Sequence, residues 1–433
     1  MSEAPDPKAP DEPTSVTDTD SSVSGDSVEA PDASEPDEPT LIVHPREGTP
    51  DPVDTEEGLK DAASRLAKSE MPVAVDVERA SGFRYSDRAY LVQIRREDVG
   101  TFLIDADALP QLDILNEALS NAVWILHAAD QDIPSLRGAN LFPPEVFDTE
   151  VAAQLLGYER IGLAAVCEEV LGVTLDKEHQ ASDWSVRPLP HAWLRYAALD
   201  VELLTALYQK LGKQLYDAGR WEWAQQEFEH IRHMQPKPED PNRWRTIPGA
   251  GKIRGRRQLA ILEELWKVRE RIAEEKDLAP TRLIRNRTLV SLAFKPPRNK
   301  RSLLNIQEMR RPRTRAYTDE WVAAIRRGKS RADADLPPLK RPYMPGELPK
   351  PSGWKMSHPD EFKRLQVVRK VVSKRADDLG IDPARVLEPR VQRRLAWDDP
   401  ALSGADLAKY LTRHGARQWQ IEQVLQGLDE ALH

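Results

Sequence analysis

Asp76 and Glu78 stand two residues apart in the apolar segment VAVDVER, which begins at Val73. The segment predicts a buried strand, and the two-residue period of a strand sends both carboxylates to the same face. Two carboxylates on one buried face repel each other and resist the loss of water, so a cation is expected between them. Oxygen ligands favour a hard divalent ion such as Mg²⁺ or Mn²⁺. Taken alone, the pattern also fits a strand end whose acids face solvent.

A second acidic motif is WILHAADQDIPSL, in which an apolar strand pattern ends and Asp130 and Asp132 follow at the start of a helix. Open α/β sheets place their chemistry at the carboxyl ends of strands. Either acid could instead cap the helix or interact with its dipole, and we favour that interpretation for Asp130. His127 is interpreted as structural, because no second histidine stands at ligand spacing.

A third motif, RYAALDVELL, places Tyr196 and Asp200 four residues apart and therefore on one helical face. Asp200 could ligate a metal ion while the Tyr196 phenol positions, or helps to deprotonate, a water molecule. The alternative is a core helix, since tyrosine, leucine and valine at this spacing usually pack in an interior.

The elements that must position these motifs form an α/β pattern. Strands are predicted at 73–77, 90–95, 101–105 and 123–127, and helices at 55–69, 111–120, 130–138, 149–157, 162–172 and 191–211. A short turn with a glycine between the second and third strands indicates an antiparallel hairpin. Strands followed by alternating strands and helices imply a mixed sheet covered by helices.

The C-terminal half shows helical patterns only. Helices are predicted at 257–276, 282–294, 302–309 and 319–328, and then at 361–379, 384–391 and 418–432. A proline-rich segment between the two sets is expected to be a stiff linker. The pattern predicts two small all-α bundles.

Composition limits the class of protein. A chain of 433 residues with 31% charged residues is too long for one compact domain. The single cysteine, Cys167, excludes a disulfide framework and a cysteine-ligated zinc site. No apolar run reaches membrane-spanning length and no secretory pattern opens the chain, so a soluble, cytoplasmic protein with no membrane partner is expected.

Charge is divided unevenly along the chain, although the formal net charge is -9. Residues 1–58 carry an excess of about 15 acidic charges, and 241–350 carry about 28 Lys and Arg against about 12 Asp and Glu. The acidic segment has almost no aromatic residues, so a disordered tail is predicted there. The basic segment is suited to contact with phosphates.

Taken together, the three motifs resemble those of the DEDDy branch of the DEDD exonucleases. The third motif resembles ribonuclease D in particular, through Lys177, Gln180, Ser182, Asp183, Trp184, Arg187, Pro188, Leu189, Tyr196, Ala197, Ala198, Asp200 and Val201. The resemblance covers about residues 59–214. The chain departs from the family pattern at Trp193, where the family usually carries a glutamine, and in its long loop 80–89.

This resemblance implies a ribonuclease H-like fold and selects Asp132, not Asp130, as the second-motif acid. It implies two divalent ions, Mg²⁺ or Mn²⁺, held by Asp76 as a bridging ligand with Glu78, Asp132 and Asp200, and Tyr196 orienting the attacking water. The implied activity releases nucleoside 5′-monophosphates from RNA 3′ ends, typically in maturation of tRNA precursors, without an obligate protein partner. A catalytically silent RNA-binding module and a 3′→5′ exonuclease acting on single-stranded DNA remain the alternatives.

The segment LEELWKVRERIAEEKDLAPTRLIRNRTLVSLA resembles an HRDC domain, and the last block resembles a second, more diverged one. The predicted divisions are a tail (1–54), the exonuclease (55–215), a connector (216–253), an HRDC domain (254–334), a linker (335–357) and an HRDC-like domain (358–433). Candidate contacts to nucleic acid are Lys177, Arg187, Arg256, Arg257, Arg285 and Arg287. Lys177 and Arg187 could equally pair with neighbouring acids, and a basic run is often only a solvated face.

Overall fold

A mixed β-sheet forms the framework of the N-terminal half. The computed structural model describes residues 39–109, 111–175, 181–236 and 238–432. Within those ranges the strands are β1 (Thr40–Ile42), β2 (Pro52–Val53), β3 (Val73–Arg79), β4 (Ala89–Arg96), β5 (Gly100–Asp105), β6 (Val123–Leu126), β7 (Glu145–Asp148) and β8 (Val173–Leu175). One sheet has the order β2-β5-β4-β3-β6-β7, and β1 pairs separately with β8. The pairs β3–β4 and β4–β5 are antiparallel and the others parallel, which confirms the predicted hairpin and mixed sheet.

Helices cover the sheet. They are α1 (Glu56–Leu66), α2 (Ile114–Ala118), α3 (Ala129–Gly138), α4 (Thr149–Leu156), α5 (Leu163–Leu171), α6 (His191–Glu202), α7 (Leu204–Asp217) and α8 (Trp221–His233). The single helix predicted over 191–211 is wrong, because the chain breaks at Leu203 into α6 and α7. The break lets α6 contact β3, β4 and β5 while α7 packs against α4 and β6.

Some elements were not predicted. Strand β7 is only four residues long, and α8 lies inside the predicted connector 216–253, where it packs against β7. Residues 39–54, within the predicted disordered tail, include β1 and β2, because strands β8 and β5 supply partners for their backbone hydrogen bonds. The rest of that tail, 1–38, lies outside the described residues.

Two helical groups follow. The first contains α9 (Arg256–Glu275), α10 (Pro280–Leu283), α11 (Asn286–Phe294), α12 (Lys300–Leu304), α13 (Pro312–Arg315) and α14 (Thr318–Ser330). The second contains α15 (Trp354–Ser357), α16 (Pro359–Leu379), α17 (Pro383–Val386), α18 (Pro389–Asp398), α19 (Gly404–Arg413) and α20 (Gln418–Leu432). Both predicted all-α bundles are therefore confirmed. No helix in the described ranges combines the length and apolar character needed to cross a membrane.

The hydrophobic cores show how the groups pack. The α9–α14 bundle has its own core, which includes Leu262, Leu265 and Trp321. The second bundle shares a hydrophobic core with the sheet domain. Within that core, Trp419 stacks on Trp223 of α8 with ring centroids 4.8 Å apart. This second bundle is thus joined to the sheet domain through α8.

Candidate active site

Strand β3 and helix α6 bring three of the predicted acids together. Carboxylate oxygens of Asp76, Glu78 and Asp200 all lie within 4.8 Å of one another. Asp76 and Glu78 share a face of β3 as the sequence predicts, and α6 lies across that face. The ligand set contains oxygen atoms only, which fits a hard divalent ion better than a thiolate-seeking or imidazole-seeking metal.

Asp132 faces the same site but is held by a different group. Its Oδ1 atom lies 3.2 Å from Nη1 of Arg79, and Arg79 also donates a hydrogen bond to the Gln131 carbonyl. Arg79 follows Glu78 directly on β3. Because its guanidinium lies beside the Asp132 carboxylate, it partly compensates the charge of Asp132. Asp130 is exposed in the first turn of α3 and does not cap the helix.

Asp148 fixes the start of α3, and sequence reasoning missed it. Ala128 has a left-handed backbone, with φ of 58°, and the buried Asp148 carboxylate accepts hydrogen bonds from the amides of Ala128 (3.1 Å) and Ala129 (2.8 Å). The same carboxylate caps α4. It therefore ties α3, which carries Asp132, to the end of β7. The Asp-Thr-Glu sequence at 148–150 is an N-cap signal that could have identified it.

The electrostatics of the site favour a cation. Burial raises the pKa of Glu78 well above its ordinary value, and the neighbouring Asp76, Asp200 and Asp132 raise it further. Burial also raises the pKa of Asp132 and Asp200 well above the ordinary range, and that of Asp76 in the same direction. Either protons or metal ions must compensate such a cluster.

Tyr196 lies one helical turn before Asp200 and is 7% exposed. Its hydroxyl is hydrogen-bonded to the Asp200 carboxylate, and burial together with that carboxylate raises the pKa of the phenol. Tyr196 is therefore a neutral hydrogen-bonding group. Trp184 packs nearby, with its ring centroid 6.4 Å from that of Tyr196.

His127 has a structural environment. Its Nδ1 atom is 2.9 Å from the Thr149 hydroxyl, and burial lowers its pKa to about 4. The histidine is thus neutral and engaged at the β6–β7 end of the sheet. This agrees with its interpretation as a structural residue.

The third motif is held by Arg187, which sequence reasoning proposed as a possible phosphate ligand. Its Nε and Nη2 atoms each lie 2.6 Å from a carboxylate oxygen of Asp105, and it also donates to backbone carbonyls of Tyr90 and Trp184. Such a bidentate pair uses the guanidinium fully. Of the two interpretations, pairing with a neighbouring acid is the one that the structure supports.

The loop after β3 is bound to the first helical bundle. Asp277, in the turn after α9, accepts hydrogen bonds from the Tyr85 and Ser86 amides and from the Ser86 and Tyr90 hydroxyls, at 3.2–3.4 Å. Arg84 of the loop donates to the Ser185 hydroxyl at 2.7 Å, which links the loop to the third motif. Nothing local in the sequence indicated a role for Asp277.

The other candidate nucleic-acid contacts separate into two groups. Arg256 donates to carbonyls of Pro337 and Leu336 and so fastens the linker to α9, and Arg257 pairs with Asp333 just before the linker. Arg285 and Arg287 are exposed, and within the described ranges neither guanidinium forms an ion pair. Lys177 lies outside the described residues.

Comparison with known proteins identifies three domains along the chain. The family model described as "3'-5' exonuclease" matches residues 50–216, an HRDC domain model matches 258–325, and a "3' to 5' exonuclease C-terminal domain" model matches 347–432. Ribonuclease D of Jannaschia sp. is 30% identical over 304 residues, which cover 67% of this chain and 77% of that protein.

Solved structures show the same architecture. A protein from Bifidobacterium adolescentis superposes with a TM-score of 0.83 at 36% identity, covering 91% of this chain and all of that one. Escherichia coli RNase D superposes with a TM-score of 0.63 at 23% identity, covering 88% of this chain and 97% of that one. The latter similarity supports the fold.

A mixed sheet with clustered carboxylates, followed by an HRDC domain, defines a 3′→5′ exonuclease. The chain belongs to the ribonuclease D family. It is accordingly a 3′→5′ exoribonuclease.

Proposed function

We propose that this enzyme trims the 3′ ends of stable RNAs such as tRNA precursors, and that its carboxylate cluster holds two divalent ions, Mg²⁺ or Mn²⁺. The observation that carries the proposal is the approach of Asp76, Glu78 and Asp200 oxygens within 4.8 Å beside a buried tyrosine. Asp76 is the proposed bridging ligand, and Asp132 is the proposed fourth ligand. When bound, such ions supply positive charge at the scissile phosphate and lower the pKa of an attacking water.

The protein's own groups have distinct proposed roles. Tyr196 orients the attacking water with its neutral hydroxyl, since a phenol whose pKa is raised by burial does not serve as a base near pH 7. Arg79 partly compensates the charge of Asp132 through their 3.2 Å ion pair. Arg285 and Arg287, exposed on the first bundle, are proposed phosphate contacts that position the RNA without reading its sequence.

The proposal includes a cytoplasmic location and no obligate protein partner. The proposed location is supported by Cys167, a buried free cysteine whose pKa burial raises to about 12. A protein with one inert thiol needs no oxidising compartment for its stability.

The test compares a tRNA precursor carrying a 3′ trailer with an unstructured RNA of equal length, both labelled at the 5′ end. With Mg²⁺ the precursor should shorten to the end of its acceptor stem and stop, whereas the unstructured RNA should be degraded throughout. Asp76→Asn protein is the control and should leave both intact.

Each alternative has its own result in this experiment. If wild-type protein binds both RNAs and shortens neither, the chain is a silent RNA-binding module. If single-stranded DNA of the same length is degraded as fast as RNA, the assignment of RNA as the preferred substrate is wrong. If the trailer and the acceptor stem disappear at the same rate, stable-RNA maturation is the wrong substrate class.

A further inference from the structure

Strand β4 carries three polar side chains in a fully buried setting: Gln93, Arg95 and Arg96. Arg95 donates to the Thr101 hydroxyl at 3.0 Å and lies 3.8 Å from Glu202, and Arg96 donates to the Leu66 carbonyl at 2.7 Å. Unlike these two arginines, Gln93 makes no side-chain hydrogen bond: neither its oxygen nor its nitrogen has a partner among the described residues. Buried amides without partners are uncommon and destabilising, so this one requires an explanation.

The strand register places Gln93 at the carboxylate cluster. Gln93 of β4 lies directly opposite Asp76 of β3, and Leu91 lies opposite Glu78. Directly opposite residues share a sheet face, with Cβ atoms about 4.5–5.5 Å apart. Leu103 flanks Gln93 on β5, and α6 covers this face. The amide is thus enclosed beside Asp76, with 0% of its residue exposed.

Chemical complementarity suggests how the amide is used. The side chain of glutamine offers two N–H donors and one acceptor oxygen. Arg95 lies two residues along on the same face, and its Nε atom also has no partner in the described part of the chain. A hydrogen bond from Arg95 Nε to the Gln93 oxygen would turn the NH₂ group of Gln93 toward Asp76.

We infer that Gln93 is a positioning residue for the metal site: across the β3–β4 ladder its buried NH₂ group is placed to donate a hydrogen bond to the Asp76 carboxylate when that carboxylate holds a metal ion. The hydrogen bond would fix the orientation of Asp76 and give the amide nitrogen of Gln93 a partner. Hydrogen bonds from residues that do not themselves bind the metal commonly orient the carboxylates that do. The inference rests on the metal site in the proposed function, but it concerns a residue that neither motif spacing nor family resemblance singled out.

The test measures Mn²⁺ binding to the full chain by titration calorimetry, together with the melting temperature (Tm) of the metal-free protein. Gln93→Met keeps the length of the side chain and removes the amide. We expect it to weaken Mn²⁺ binding by about 10- to 100-fold, the usual effect of removing an outer-shell partner. Its metal-free Tm should equal or exceed that of the wild type, because an unsatisfied amide is removed. Gln154→Met is the matched control, since Gln154 is a partly buried amide on α4 that bonds Glu150.

The outcomes separate this inference from the proposed function. If Gln93→Met binds Mn²⁺ as tightly as the wild type, the inference is overturned while the metal site stands. If Gln93→Met melts well below the wild type without metal, the amide has a structural partner and the inference is also overturned. If wild-type protein binds no Mn²⁺, or Asp76→Asn binds it equally well, the proposed metal site itself fails.

Discussion

At the residue scale, Asp76 lies at the crowded centre of the carboxylate cluster, with Glu78 beside it on β3 and Asp200 opposite on α6. Burial raises the pKa of all three carboxyl groups. The folded state therefore binds protons more tightly than the unfolded state, whose carboxyl groups titrate near ~4. The stability of the metal-free protein should consequently fall as pH rises from about 4 through the raised pKa values.

Asp76→Asn should lessen this loss of stability at high pH. Removing one charge also removes its repulsion of Glu78, Asp132 and Asp200, so the metal-free variant should melt about 2–4 °C above the wild type at pH 8. The difference should shrink toward pH 4, where the wild-type carboxyl groups are protonated. Calorimetric melting from pH 4 to 8 in chelator measures this difference in Tm. An equal or lower Tm for the variant at pH 8 would contradict the conclusion that the carboxylates repel each other in the folded protein.

Tyr196→Phe should lower kcat by about 10²- to 10³-fold with little change in KM, since a water-orienting hydroxyl acts mainly in the transition state. Single-turnover RNA degradation measures the effect. Tyr158→Phe is the control, because the Tyr158 hydroxyl donates to Gln214 on α7 rather than to the carboxylate cluster. A rise in KM at unchanged kcat would place Tyr196 in RNA binding instead.

At the element scale, periodicity predicted the strands that bear the site but not every connection between elements. The alternation in VAVDVER and the apolar run in β4 are local signals, so β3 and β4 were predictable. The break at Leu203 was not, because it is determined by the packing of α6 and α7 against different parts of the sheet. Residue types and spacing, together with the family resemblance, predicted the acids of the site, and a local N-cap signal was available for Asp148, whereas the position of Gln93 depends on strand register.

The loop from residue 80 to 88 depends on the first bundle, which makes Asp277→Ala informative. The substitution removes the acceptor of four hydrogen bonds, and amide exchange at Tyr85 and Ser86 should accelerate by about 10-fold or more. Hydrogen-exchange mass spectrometry of this loop is the measurement. Asp319→Ala, which breaks an exposed ion pair with Lys300 in the same bundle, should leave the loop unchanged. Equal exchange in both variants would show that Asp277 does not hold the loop.

At the scale of the whole molecule, the two bundles join the sheet domain through different contacts. The second bundle is fixed through Arg417, which forms a bidentate pair with the buried Glu227 of α8 at 2.7 Å. The first bundle is joined through polar contacts to loop 80–88 and carries exposed arginines. The uneven charge of the sequence predicted an arginine-rich first bundle, but not which of its arginines are engaged in folding.

The affinity for RNA should therefore fall with rising salt concentration, in part because exposed arginines of the first bundle contact phosphates. In an Asp76→Asn background, the double variant Arg285→Ala and Arg287→Ala should weaken RNA binding and reduce the slope of log K against log salt by about 0.7 for each phosphate that the variant no longer binds. Arg271→Ala is the control, since Arg271 is already paired with Glu275 and Glu320. An unchanged slope in the double variant would exclude these arginines from the RNA-binding surface.

The most direct test of the central assignment follows the polarity of degradation. Matched RNAs labelled at the 3′ or the 5′ end are incubated with the full chain and Mg²⁺, with chelator and Asp200→Asn protein as controls. The 3′ label should appear at once as a nucleoside 5′-monophosphate, and the 5′-labelled RNA should shorten one nucleotide at a time, with both reactions stopped by either control. Release of mononucleotide from the 5′ end, internal cleavage, or full activity of Asp200→Asn in chelator would contradict a metal-dependent 3′→5′ exoribonuclease site.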